Sequence, residues 1–64
     1  MAMEQYTPTD LTEALRAIQS LISKCEKVEP KLRPGTSQAT LLKNRIRALK
    51  IAAELLKAEI ARLN

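Results

Sequence analysis

The sequence predicts an all-α fold: an antiparallel two-helix hairpin that dimerises into a four-helix bundle. Three observations lead there. Leu42, Ile46, Leu49, Ala53, Leu56, Ile60 and Leu63 follow one another at alternating steps of four and three. That is an unbroken heptad stripe on one long helix. A second apolar-periodic stretch, Leu11 to Val28, is separated from it by the turn dipeptide Pro34-Gly35. The composition has one glycine and one aromatic residue, Tyr6. Rich otherwise in Leu, Ala, Lys, Arg and Glu, it suits long helices and fits sheets poorly.

Sixty-four residues make a single small domain. A chain this short sits near the limit of independent stability, and the usual remedies are disulfides, a metal or oligomerisation. One cysteine, Cys25, allows no intrachain disulfide, and the absence of histidine removes the common zinc ligand sets. Oligomerisation remains. No apolar run approaches the ~20 residues of a membrane span. The opening Met-Ala-Met-Glu-Gln-Tyr lacks the basic and apolar regions of a signal peptide. The expectation is a cytoplasmic protein with no membrane partner, and a lone thiol agrees with it.

The first helix is expected over about 8–29, after a loose start at residues 1–5. Thr7 is its N-cap, Pro8 suits the first helical position, and Asp10 completes a capping box. Tyr6 and Leu11 are spaced for a hydrophobic staple. Leu11, Ala14, Leu15, Ile18, Leu21, Ile22, Cys25 and Val28 then share one face, an arc of about 140° at the ~100° per residue of a helix. Pro30 deletes a helical hydrogen bond. Leu32 nevertheless continues the stripe, so the helix is expected to kink and bring Leu32 back to the core.

A loop at about 33–37 follows, with Thr36 or Ser37 as the next N-cap. The second helix is expected over about 38–63, free of Gly and Pro. So short a connection makes the helices antiparallel neighbours. Val28 should then lie near Leu41 and Leu42, Leu21 near Leu49, and Ala14 near Leu56. Lys50 and Glu54 are spaced for a helical ion pair. Arg45, inside the apolar arc, is placed either to pair with Glu26 or Glu29 or to run its stem along the core edge.

Leu41, Ala48, Ala52 and Leu55 widen the apolar surface of the second helix to roughly half its wheel. One narrow helix cannot cover that. The expected self-association residues are therefore Leu41, Ala48, Ala52, Leu55, Leu56, Ile60 and Leu63, with a homodimer expected and a different protein as the other occupant.

Charge defines the alternative. The net charge is +4. From Lys24 to Lys50, eight basic residues stand against only Glu26 and Glu29. Lys31, Arg33, Lys43, Arg47 and Lys50 gather near the bend and are the candidate contacts for an anion or nucleic acid. Stacking aromatics, helix-turn-helix spacing and glycine-rich RNA motifs are absent.

Catalysis is not expected. Cys25, the one candidate nucleophile, lies on the apolar stripe with no histidine to serve as base. The acids form no inward-facing pair. The loop from Pro34 to Thr40 lacks the second glycine and the Gly-Lys-Ser/Thr ending of a P-loop. No catalytic, metal or cofactor-binding residue is assigned, and no cofactor is expected.

The run Lys24-Cys25-Glu26-Lys27, followed by Gly35-Thr36-Ser37-Gln38 and Leu41-Leu42-Lys43-Asn44-Arg45-Ile46-Arg47-Ala48-Leu49, resembles a group of short bacterial helical-hairpin proteins. The likeness spans roughly the middle half of the chain. It implies a small bacterial cytosolic protein and carries over no active residue. The leading functional class is an interaction or regulatory module working by helix-on-helix contact. A small basic nucleic-acid-associated protein is the alternative.

Overall fold

The computed structural model describes residues 6–63. The loose start expected at residues 1–5 lies outside them. Two helices, α1 (Pro8–Val28) and α2 (Ser37–Leu63), pack against each other, and a 3-10 turn (Glu29–Lys31) leads out of α1. No strand occurs among the described residues.

Local chemistry sets the boundaries. The Thr7 hydroxyl accepts from the Asp10 N–H at 3.1 Å, and the Thr7 N–H donates to the Asp10 carboxylate at 3.0 Å. This reciprocal capping box satisfies two amides at the start of α1. Tyr6 stays mostly exposed beside it. At the other end Pro30 has no N–H to continue the ladder. The chain tightens into the 3-10 turn, and the Leu32 N–H donates to the Glu29 carbonyl at 3.1 Å. Leu32 itself is extended and half-buried.

The chain then reverses through Arg33-Pro34-Gly35-Thr36. Gly35 has φ +83°, and the Thr36 N–H reaches the Arg33 carbonyl at 3.4 Å. Proline followed by a positive-φ glycine is the pattern of a type II turn. Of the two candidate caps, Thr36 is the one used. Its hydroxyl accepts from the Ala39 N–H at 3.2 Å and donates to the Arg33 carbonyl at 2.8 Å. Thr36 therefore ties the turn to the first turn of α2.

The molecule measures 42 × 25 × 14 Å. The long dimension matches the 27 residues of α2 at ~1.5 Å each. The short one barely exceeds the ~10–12 Å of one helix with its side chains. The hairpin is thus a slab two helices wide and one helix thick.

Its core is correspondingly small. Among the described residues Cys25, Ala39, Ile46 and Ala53 are buried, and no side chain is fully enclosed. On α2 the heptad seam faces α1: Ile46 is 7% exposed and Ala53 5%, while Leu42, Leu49, Leu56 and Ile60 are half-buried. The seam starts one step earlier than expected, at Ala39. Leu63 ends it 41% exposed.

On α1 the inward stripe is Leu11, Leu15, Ile18, Ile22, Cys25, Glu29 and Leu32, all buried or half-buried. This corrects the expected pairings of Ala14, Leu21 and Val28 with α2. Ala14 is exposed, and Leu21 and Val28 are each 45% exposed. The reason is geometric. A single helix contact covers a stripe narrower than the ~140° apolar arc. The helix turns its Leu15–Ile22–Glu29 side inward and leaves the other margin of the arc outside.

Ile46 is the largest of the buried apolar side chains. Ile46→Ala should lower stability by about 2–4 kcal/mol, read from urea denaturation followed by circular dichroism. A loss below ~1 kcal/mol would contradict a core centred there.

Candidate functional site

A slab has two broad faces, and this sequence makes them different. Glu26 and Lys50 bridge the helices across one face at 3.0 Å. Gln19, Lys43 and Lys57 lie along the same side, and all are exposed. On α1 the residues across the inward stripe from Glu26 are Ala14, Leu21 and Val28. On α2 the positions across the seam from Lys50 are Arg45, Ala52 and Glu59. Both follow from ~100° per residue. One face is therefore charged and the other largely apolar.

The apolar surface continues from Ala52 around the shoulder of α2. Leu41 is 62% exposed, Leu55 66% and Ile51 51%, with exposed Ala48 among them. Ile51 was missed from the sequence. It stands three residues after Ala48 and four before Leu55, so the same helical spacing would have found it. Several large apolar side chains are thus contiguous in water, the kind of patch that makes this surface the candidate site.

The expected self-association set thus divides. Leu41, Ala48, Ala52 and Leu55 sit together on this outer surface, with Ala52 half-buried. Leu56 and Ile60 are half-buried within the intramolecular seam, and Leu63 lies at its open end. They border the apolar face without being its centre.

Of the five basic residues, Lys43, Arg47 and Lys50 come together in one shallow groove, with acids interleaved. They line it with Glu26, Glu29 and Glu54, and Ile46, Ile51 and Leu55 complete its lining, so the apolar shoulder of α2 runs into the charged side. Lys31 and Arg33 lie exposed at the bend. Lys50 is engaged by Glu26 and Lys57 by Glu54 at 3.4 Å. This replaces two expected pairs within the chain. Glu54 takes Lys57 in place of Lys50. Glu26 takes Lys50 in place of Arg45, which points from the opposite face. Such exposed pairs contribute ~0–1 kcal/mol each.

Arg62 donates to both carboxylate oxygens of Glu59, through Nε at 2.9 Å and through Nη2. This hydrogen bonding holds the Glu59 carboxyl below its usual range and raises the Arg62 guanidinium above its own. Glu59 is accordingly a fixed negative charge at neutral pH.

Cys25 is buried at the helix interface. Among the described residues no cluster of three His, Cys, Asp or Glu side chains could hold a metal. None of the described helices is long and apolar enough to cross a membrane. At the start of α2 the Thr36 hydroxyl already satisfies the Ala39 amide, so capping accounts for the hydroxyl-bearing loop there. No protein-family model, curated protein or solved structure matches the chain.

Burial at 9% exposure should make the Cys25 thiol slow to react. With a chromogenic disulfide reagent, modification of the native protein should be at least about tenfold slower than in guanidinium, where the thiol is exposed. Equal rates would place Cys25 outside the core.

Proposed function

We propose that this chain is a non-enzymatic cytoplasmic interaction module that self-associates, two hairpins stacking into a four-helix bundle. The observation that carries this reading is the apolar face. Leu21 and Val28 on that face, and Leu41, Ile51 and Leu55 on the shoulder of α2 beside it, are each 45% or more exposed on a slab only 14 Å thick. Burying a Leu or Ile side chain contributes ~1.5–3 kcal/mol, which is large against the few kcal/mol of a domain this size.

Area points the same way. The chain exposes 5367 Å² at 7.2 kDa, well above the roughly 4,100 Å² that size scaling gives for a folded monomer. A face of 42 by 25 Å matches the ~800 Å² per partner of a standard interface. Stacking two such faces produces the two-layer packing that helix bundles need.

Size-exclusion chromatography with light scattering should give the dimer mass at micromolar concentration. Leu41→Glu with Leu55→Glu should give the monomer mass. A monomeric unmutated chain would refute self-association.

A second reading, association with nucleic acid, has one observation of its own. Lys31 and Arg33 at the bend, and Lys43 and Arg47 in the groove on α2, have no ion-pair partner among the described residues. If they meet phosphates, affinity for duplex DNA or RNA falls steeply with salt. Reversing Lys43 and Arg47 to Glu then removes a low-salt gel shift. No shift at low salt would dismiss the reading.

A further inference from the structure

The apolar face carries two charges along α2, and their placement is informative. Arg45 precedes Ala52 by seven residues, and Glu59 follows it by seven. Each stands two helical turns, ~10.5 Å, from Ala52 on the same side of the helix. The charges are opposite in sign and symmetric about a small residue. Arg45 has no acidic partner among the described residues.

We propose that two copies stack through this face about a two-fold axis at Ala52, so that Arg45 of each copy pairs with Glu59 of the other. The proposal rests on the self-association reading above and adds its orientation and register.

A two-fold axis perpendicular to α2 reverses the second helix and sets position 52+n against position 52−n. Arg45 then meets Glu59 twice. A parallel arrangement would set Arg45 against Arg45 and Glu59 against Glu59, and like charges directly opposed are unfavourable. The apolar residues agree with the reversed order. Leu41 meets Leu63, Leu55 meets Leu49, and Ala48 meets Leu56. Leu41 and Leu55 are the two most exposed large apolar side chains of the described chain, and both gain apolar partners. Ala52 facing Ala52 lets the helices approach closely at the axis.

α1 fits the same axis. Ile22 and Ala53 share a groove. Because the helices are antiparallel, Leu21 and Ala52 step away from that level in opposite directions, by ~3 Å in all at ~1.5 Å per residue. Leu21 therefore lies close to the axis, offset along α1 from the second copy's Leu21. The charged face, with Glu26 and Lys50, stays in water. Arg62 remains on Glu59, and a carboxylate has lone pairs for both guanidinium groups.

Charge reversal tests the register. Arg45→Glu and Glu59→Arg should each raise the dimer dissociation constant by about tenfold or more, because each reversal creates two like-charge contacts. The double variant should return to within about threefold of the unmutated chain. In a Cys25→Ala background, Ala52→Cys should form a covalent dimer on mild oxidation, while Lys57→Cys on the charged face should not. Circular dichroism checks that each variant stays helical.

Failure to recover in the double variant, or cross-linking through Lys57→Cys but not Ala52→Cys, overturns this axis. A light-scattering dimer in that case leaves self-association standing. A monomeric unmutated chain overturns both.

Discussion

Two helices in contact share one line of packing, and everything else in this molecule follows from that restriction. The line runs from Ala39 through Ile46 to Ala53 on α2, against Ile18, Ile22 and Cys25 on α1. Alanine on either side of Ile46 lets the helices come close, and Ile46 fills the space between. Nothing can enclose these residues on all sides, because a slab one helix thick has no third layer. That is why, among the described residues, the buried set is small and no side chain is fully enclosed. More apolar side chain is available than one contact can cover, and the surplus must lie on the broad faces or on the backs of the helices.

Which side receives the surplus is decided jointly by both helices. α1 turns its Leu15–Ile22–Glu29 margin inward and releases Leu21 and Val28. α2 releases Ala52 to the same face, and Leu41, Ala48 and Leu55 to the shoulder beside it. The opposite face collects Glu26, Lys43, Lys50 and Lys57. One face is therefore well hydrated, and the other is costly to leave in water. The ion pairs respect this division. Glu26–Lys50 joins the helices at the wet face, where its energy is small. Arg45 and Glu59 stand on the other face. Self-association and nucleic-acid contact centre on different sides of the slab and meet at the groove where Ile51 and Leu55 adjoin Lys43, Arg47 and Lys50.

Much of this was legible residue by residue, wherever the determining chemistry is local. Thr7, Pro8 and Asp10 specify the start of α1 within one turn, and the capping box is present as read. Pro30 ends regular helix because it lacks a donor, and Leu32 returns to the core. Gly35 supplies the positive φ that the turn needs. Less was legible where two local solutions compete. Thr36 and Ser37 were equivalent candidates for a cap until the turn geometry placed the Thr36 hydroxyl between Arg33 and Ala39. Lys50 had an acid four residues away in Glu54 and another across the interface in Glu26, and it is engaged by the latter.

The periodicity of the chain by itself determined that there are two helices and that α2 carries apolar residues over more of its surface than one neighbour can hide, and the short connection determined that they are antiparallel. Periodicity reports the width of an apolar arc. It does not report the rotation of the helix about its own axis, because every residue in a wide arc matches the period equally well. That rotation is a tertiary quantity. It is set by how the Leu11–Leu32 stripe and the Ala39–Ile60 seam interdigitate along their whole length. Only the packed structure decided that Leu21 and Val28 lie outside, that Leu56 and Ile60 belong to the hairpin's own seam, and that Ile51 joins the exposed surface. The same rotation places Arg45 and Glu59 on the face with Ala52, symmetric about it, where a second copy can meet both.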